Sequence, residues 1–159
     1  MEVEGLTFQQ ALHKAEKYCA YQERSQQEVR RRLHAWKVVG SDAEAVIAEL
    51  IAGNFLSDAR YAAAFVSGRY RIKRWGRLKI AAALRLDGLS DRCIQSAFEE
   101  TDFSDYQETI GRVADGWLRC HRDGPSETVR LKLRAYLFSR GFEAEEIGRW
   151  EKGFSFPKE

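Results

Sequence analysis

The segment Arg69-Tyr-Arg-Ile-Lys-Arg-Trp-Gly-Arg-Leu-Lys79 is where this 159-residue chain concentrates side chains able to bind something. Six cations, Arg69, Arg71, Lys73, Arg74, Arg77 and Lys79, are interleaved with Tyr70, Ile72, Trp75 and Leu78. No acid falls between Asp58 and Asp87, an interval holding eight basic side chains, although the whole chain carries only +2. Cations at this density contact phosphates, and an exposed Trp or Tyr would stack on a base. A partner with an acidic surface would satisfy the same charges. The bland alternative packs Ile72 and Trp75 at a joint between helices and leaves the cations solvated. Like charges this close repel one another, and no neighbour in sequence offsets them, so a contact role for the six is expected. On that view Arg71, Arg74 and Arg77 are surface residues, replaceable by Glu at little cost to folding.

Catalysis is not written in the rest of the chain. His13, His34 and His121 lack metal-ligand spacing, and Cys120-His121, being adjacent, suits a zinc site poorly. A small buried thiol beside an exposed imidazole is expected there instead. Cys19, Cys93 and Cys120 are odd in number with no C-x-x-C pair, which predicts a reducing cytoplasm and no disulfide framework. Cys19 and Cys93 are expected in the core, with no metal and no cofactor. There is no G-x-S-x-G, no phosphate-cradling glycine loop and no marked pair of carboxylates. No apolar run approaches the roughly 20 residues of a membrane span, and MEVEGLTF lacks the shape of a signal peptide. These features together predict a cytoplasmic protein that is not an enzyme and that acts by binding.

The elements that must position the basic segment are helices. The chain is 44% hydrophobic and 31% charged, with two prolines and few β-branched residues. Capping boxes, which satisfy two orphan N–H groups reciprocally, are spelled at Thr7/Gln10, Ser25/Glu28, Ser41/Glu44 and Ser104/Gln107. Simpler starts stand at Ser57-Asp58, Ser90-Asp91 and Pro125-Ser126, and weaker ones at Trp75-Gly76 and Phe142-Glu143; Gly53, Gly88, Gly124 and Gly141 read as stops. Apolar stripes follow each start at helical spacing, one of them placing Tyr61, Phe65 and Ile72 near a common face. The starts recur about every 50 residues, aligning Val29, Ile80 and Val129, then Leu33, Leu84 and Leu133. The expected fold is all-α: three tandem three-helix repeats, 1–56, 57–103 and 104–159, forming an extended, curved body.

Several of these residues, in this order, resemble the RecX family of bacterial regulators of the RecA recombinase. Arg24, Ser25, Glu28 and Val29 are similar to the family's R-x-x-S-x-x-E-[LV]. Phe55-Leu56-Ser-Asp58-Ala-Arg60-Tyr61-Ala62 is similar to its [FY]-L-[DN]-D-x-R-[FY]-A. The clearest likeness is Lys73-Arg-Trp75-Gly76-Arg-Leu-Lys79-Ile80, followed by Leu84, Gly88 and Ile94. The resemblance covers residues 10–100, and the third repeat agrees mainly in period. It departs at Lys37, where the family usually ends the helix with glycine; the helix is expected to run on or to end at Gly40. The resemblance implies a monomer that binds RecA filaments on single-stranded DNA, restraining ATP hydrolysis, strand exchange and filament extension. A stand-alone nucleic-acid-binding module that competes for DNA, with weak direct DNA contact, is the alternative.

Overall fold

The structure is a computed structural model and describes residues 5–124 and 126–156. Pro125, expected to open a helix with Ser126, lies outside them, as do Met1–Glu4 of the segment compared with a signal peptide. The described residues form nine helices and no strand: α1 Phe8–Tyr21, α2 Gln26–Ala35, α3 Gly40–Ala52, α4 Asp58–Arg71, α5 Arg77–Leu86, α6 Asp91–Glu100, α7 Tyr106–Leu118, α8 Ser126–Ser139 and α9 Ala144–Lys152. They are tandem three-helix repeats. No described helix is long and apolar enough to cross a membrane.

Local chemistry starts some of these helices as the sequence predicts. Thr7 and Ser25 accept from Gln10 N (3.2 Å) and Glu28 N (3.1 Å), and each N3 side chain reaches back, completing both capping boxes. Ser57 and Ser90 accept from Arg60 N and Cys93 N. Two other boxes are not used. Helix α3 starts at Gly40 from Val39, ahead of Ser41, and α7 starts from Asp105, neither with a side-chain cap.

By packing, the chain divides into two compact units. The first runs to Ala64 and adds Leu84–Ala97. Helices α1, α2 and α3 pack on one another there, burying Ala11, Ala15, Val29, Leu33, Val46, Ile47 and Leu50. The second holds Phe65–Ala83 with the chain from Phe98 onward, where α7, α8 and α9 pack together around Ile110, Ala114, Leu133, Leu137, Phe142 and Ile147. Glu151 is buried there and receives the guanidinium groups of Arg134 and, at 3.4 Å, Arg130, which ties α9 to α8. The middle helices α4 and α5 contribute to both units.

Helix ends show how the repeats correspond. Helix α5 stops through Gly88 at φ +83°, with Leu89 N donating to Leu84 O and Gly88 N to Arg85 O. Helix α8 stops the same way through Gly141 at φ +97°, with Phe142 N on Leu137 O. Leu33 and Leu84 therefore correspond by their stops to Leu137, not to Leu133. The reason is length: α8 has 14 residues where α2 and α5 have 10, so counting from the start misplaces the alignment by one turn.

Lys37 corrects the expectation for α2. The helix neither runs on nor ends at Gly40; it ends after Ala35, with Lys37 at φ +63°. Val38 N donates to Leu33 O and Lys37 N to His34 O, both at 2.9 Å, the same paired closure that glycine makes in α5 and α8. Left-handed backbone costs an L-residue about 1–2 kcal/mol, and glycine's extra unfolded-chain entropy takes back about 0.5–1. Lys37→Gly should therefore raise stability by about 0.5–1 kcal/mol in urea titration; an unchanged or lower midpoint would contradict this.

Candidate functional site

The basic segment is held by a backbone-to-backbone contact inside the second unit. Helix α5 carries no side-chain cap of its own. Its first donors are satisfied from far along the chain: Gly76 N by Arg140 O and Leu78 N by Gly141 O, both at 2.9 Å, and Arg77 N by the Tyr106 hydroxyl at 3.0 Å. Closeness of this kind requires glycine. A Cβ on Gly76 would stand 2.2 Å from the Gly141 carbonyl carbon, and one on Gly141 would stand 2.4 Å from Lys79 Cβ.

Arg77 completes the joint. Its Nη2 lies 2.7 Å and its Nε 2.9 Å from Glu143 Oε2, and its guanidinium sits 4.3 Å from the centre of the Tyr106 ring. Tyr106 donates to the other oxygen of the same carboxylate. Burial, and then Glu143 holding its proton, push the Tyr106 hydroxyl well above the ordinary tyrosine range. Tyr70 behaves alike: burial, then donation to Asp105, push it up to about 12.

The six cations thus divide. Arg77 is not the uncompensated surface charge expected from the sequence, because acids 66 and 69 positions later fold beside it: Glu143, and Glu146 at 3.8 Å. Arg69 lies over Phe65 and Trp75, at 4.7 and 5.1 Å from the ring centres, and its Nε is buried without a hydrogen-bond partner. Lys79 lies 4.4 Å from the Trp75 centre. Arg71 is exposed and reaches the Asp102 carbonyl at 3.4 Å. Lys73 and Arg74 are exposed, with no carboxylate partner within the described residues. The aromatics divide too. Tyr70 is buried and cannot stack on a base, whereas Ile72, expected on a packed face, is 79% exposed.

Lys73 and Arg74 form one wall of an open groove of about 650 Å³ within the second unit. Arg112, Arg140, Trp117, His121 and Tyr136 line it as well, with Val113 among them and no acid. His121 stacks on Trp117 with ring centres 4.2 Å apart and planes 4° from parallel; Tyr136 lies 6.1 Å from Trp117 at 24°. The imidazole is fixed by Nδ1, which donates to the Trp117 carbonyl at 2.7 Å. Arg140 donates to the Lys73 carbonyl and so secures that wall to the end of α8. Sequence reasoning found Lys73 and Arg74 but missed the rest of the groove. The one available signal was the i, i+4 spacing of Trp117 and His121.

The remaining motif residues build the scaffold. Arg24 lies 3.9 Å over the Tyr18 ring and donates to its carbonyl, and Ser25 and Glu28 form the α2 capping box. Asp58 accepts from Gln26 N, Arg60 pairs with Glu23 at 3.0 Å and with Asn54, and Tyr61 donates to Asp87. Trp75 meets Phe65 edge-on, and Ile80 is fully buried. Cys19 is buried, which pushes its thiol up to about 11, and Cys93 is half-buried. Cys120 is exposed, contrary to expectation, because it follows the last turn of α7. Within the described residues no cluster of His, Cys, Asp and Glu could hold a metal ion.

Comparison with known proteins fits this arrangement. Residues 11–50 match the family described as "RecX, first three-helix domain", and residues 57–97 match "RecX, second three-helix domain". The chain belongs to the RecX family. It is 30% identical over 137 residues to the "Regulatory protein RecX" of Prosthecochloris aestuarii, covering 86% of this chain and 88% of that one. The protein of the same description from Herminiimonas arsenicoxydans is 28% identical, covering 84% and 85%. The fold is also that of the crystal structure of RecX from Lactobacillus salivarius, with a TM-score of 0.80 at 20% identity over 92% of this chain and 95% of that one. A regulatory role follows from the family. Both RecX matches end before α7, so Arg112, Trp117, His121, Tyr136 and Arg140 lie outside them.

Two outcomes test the joint. Arg74→Glu should change stability by no more than about 0.5 kcal/mol, whereas Arg77→Glu, which sets a third carboxylate beside Glu143 and Glu146, should lower the urea midpoint clearly. Equal effects would contradict the pairing. Tyr70 and Tyr106 have folded pKa values above their unfolded ones, so their stabilisation is complete below the unfolded value near 10 and is lost as pH rises toward the folded values, about 12 for Tyr70 and higher still for Tyr106. Alkaline titration should therefore show two of the six tyrosines ionising only together with loss of helical circular dichroism.

Proposed function

We propose that this protein is a non-enzymatic, monomeric regulator of RecA. It binds RecA filaments on single-stranded DNA in the cytoplasm and restrains ATP hydrolysis, strand exchange and filament extension during recombination and DNA repair. Membership of the RecX family carries this reading. The architecture supports it: repeats over 1–56, 57–103 and 104–159 offer several weak contacts to successive protomers of a filament, and linked weak contacts add through effective concentration. Arg71, Lys73 and Arg74, exposed and near one another in sequence, are the cations of the basic segment best placed for such contacts; Arg69 and Lys79 support them by holding Trp75.

The cationic groove favours a second reading, in which the protein competes with RecA for DNA and acts indirectly. Titrating RecA ATPase activity at fixed single-stranded DNA separates the two. A filament regulator should suppress hydrolysis at well below one molecule per RecA protomer. A competitor should need enough protein to cover the free strand. Suppression only at strand-saturating amounts would sink the first reading.

A further inference from the structure

We infer that the groove between the α4–α5 joint and α7–α8 is a binding site for single-stranded nucleic acid, acting whether or not RecA is present. Its four cations come from three separate stretches of chain: Lys73 and Arg74, Arg112, and Arg140. No acid lines it, so the site offers charge for several phosphates and nothing that repels them. The near-parallel rings of Trp117, His121 and Tyr136 supply flat ring surface next to those charges, His121 being the exposed member. An acidic protein surface would use the cations and leave the rings idle. A duplex presents phosphates, but its bases are already stacked on one another. An unpaired strand uses both halves of the groove, phosphates on the cations and a base face on the rings.

Arg74 also makes a clean test possible. Its backbone stands at φ +55°, a conformation glycine adopts without strain, yet the chain carries an exposed guanidinium there. Arg140 presents the wall by bonding the Lys73 carbonyl, so the joint that fixes α5 also fixes the groove. The lining joins Lys73 and Arg74, which follow α4, to residues of α7, α8 and the turns after them.

The test is fluorescence anisotropy on the full chain, without RecA, using labelled oligo(dT) of about 15 nucleotides and unlabelled competitors. The parent should bind oligo(dT) with strong salt dependence, and a duplex of equal length should compete at least tenfold more weakly. Oligo(rU) in place of oligo(dT) distinguishes the source of the strand; tight binding of either supports the site. Arg74→Gly with Arg112→Gln should lower affinity at least tenfold and flatten the log–log salt slope by about 1.4, two phosphate contacts at about 0.7 each. His121→Ala, at an exposed position, should lower affinity at least fivefold through lost stacking. Arg74→Gly relieves backbone strain, so loss of binding at unchanged or higher melting temperature cannot be blamed on unfolding. Unaltered affinity and slope in these variants, or equal competition by duplex, would overturn the inference. So would variants that keep oligonucleotide binding and lose only RecA association, which would make the groove a RecA surface. The RecA reading fails separately: if the parent binds oligonucleotides through the groove but never suppresses RecA ATPase activity, this inference stands and that reading falls.

Discussion

Two glycine backbones in contact fix where the basic segment points. Gly76 cannot carry a side chain because the carbonyl of Gly141 occupies its place, and Gly141 cannot because Lys79 does. The turn before α5 and the side chains around it are registered from that contact. It lets Arg140 and Gly141 cap α5 with their carbonyls, puts Arg77 against Glu143 and Tyr106, and leaves Lys73 and Arg74 on a turn secured by Arg140. A side chain at either glycine would push the two backbones apart and release the turn. The position of four charges thus depends on two residues that carry none.

Helix starts were legible in the sequence wherever the chemistry is local. Thr7/Gln10 and Ser25/Glu28 need only themselves to form a cap, and both do. The start of α5 looked weak because its cap is supplied from positions 106, 140 and 141. Lys37 shows the complementary case: the turn is closed by Val38 N on Leu33 O and Lys37 N on His34 O, and the residue accepts a left-handed backbone in place of glycine. The alignment of Leu133 with Leu33 and Leu84 failed because a repeat read from helix starts cannot register an extra turn before the stop. The family likeness rests mainly on scaffold residues, since Ser25, Glu28, Asp58, Arg60, Tyr61 and Gly76 cap, pair or pack.

The candidate site was half legible. A run of cations without acids is visible in one dimension, but which cations are free is a three-dimensional property. Arg77 is taken by acids from α9 and the turn before it, and Tyr70 is taken into the core. Arg112, Trp117, His121, Tyr136 and Arg140 are spread over α7, α8 and the turns after them, so no window of sequence displays them beside Lys73. Folding pairs some cations of the basic segment and brings others beside it from α7 and the end of α8.

Amide hydrogen exchange on the protein bound to RecA–single-stranded DNA filaments tests most directly whether the α4–α5 joint and the groove beside it make the contact. Exchange should slow most at residues 71–77, 112–121 and 136–141, with weaker slowing elsewhere in the repeats. Protection confined to α1–α3, with the joint and the groove unchanged, would contradict that contact.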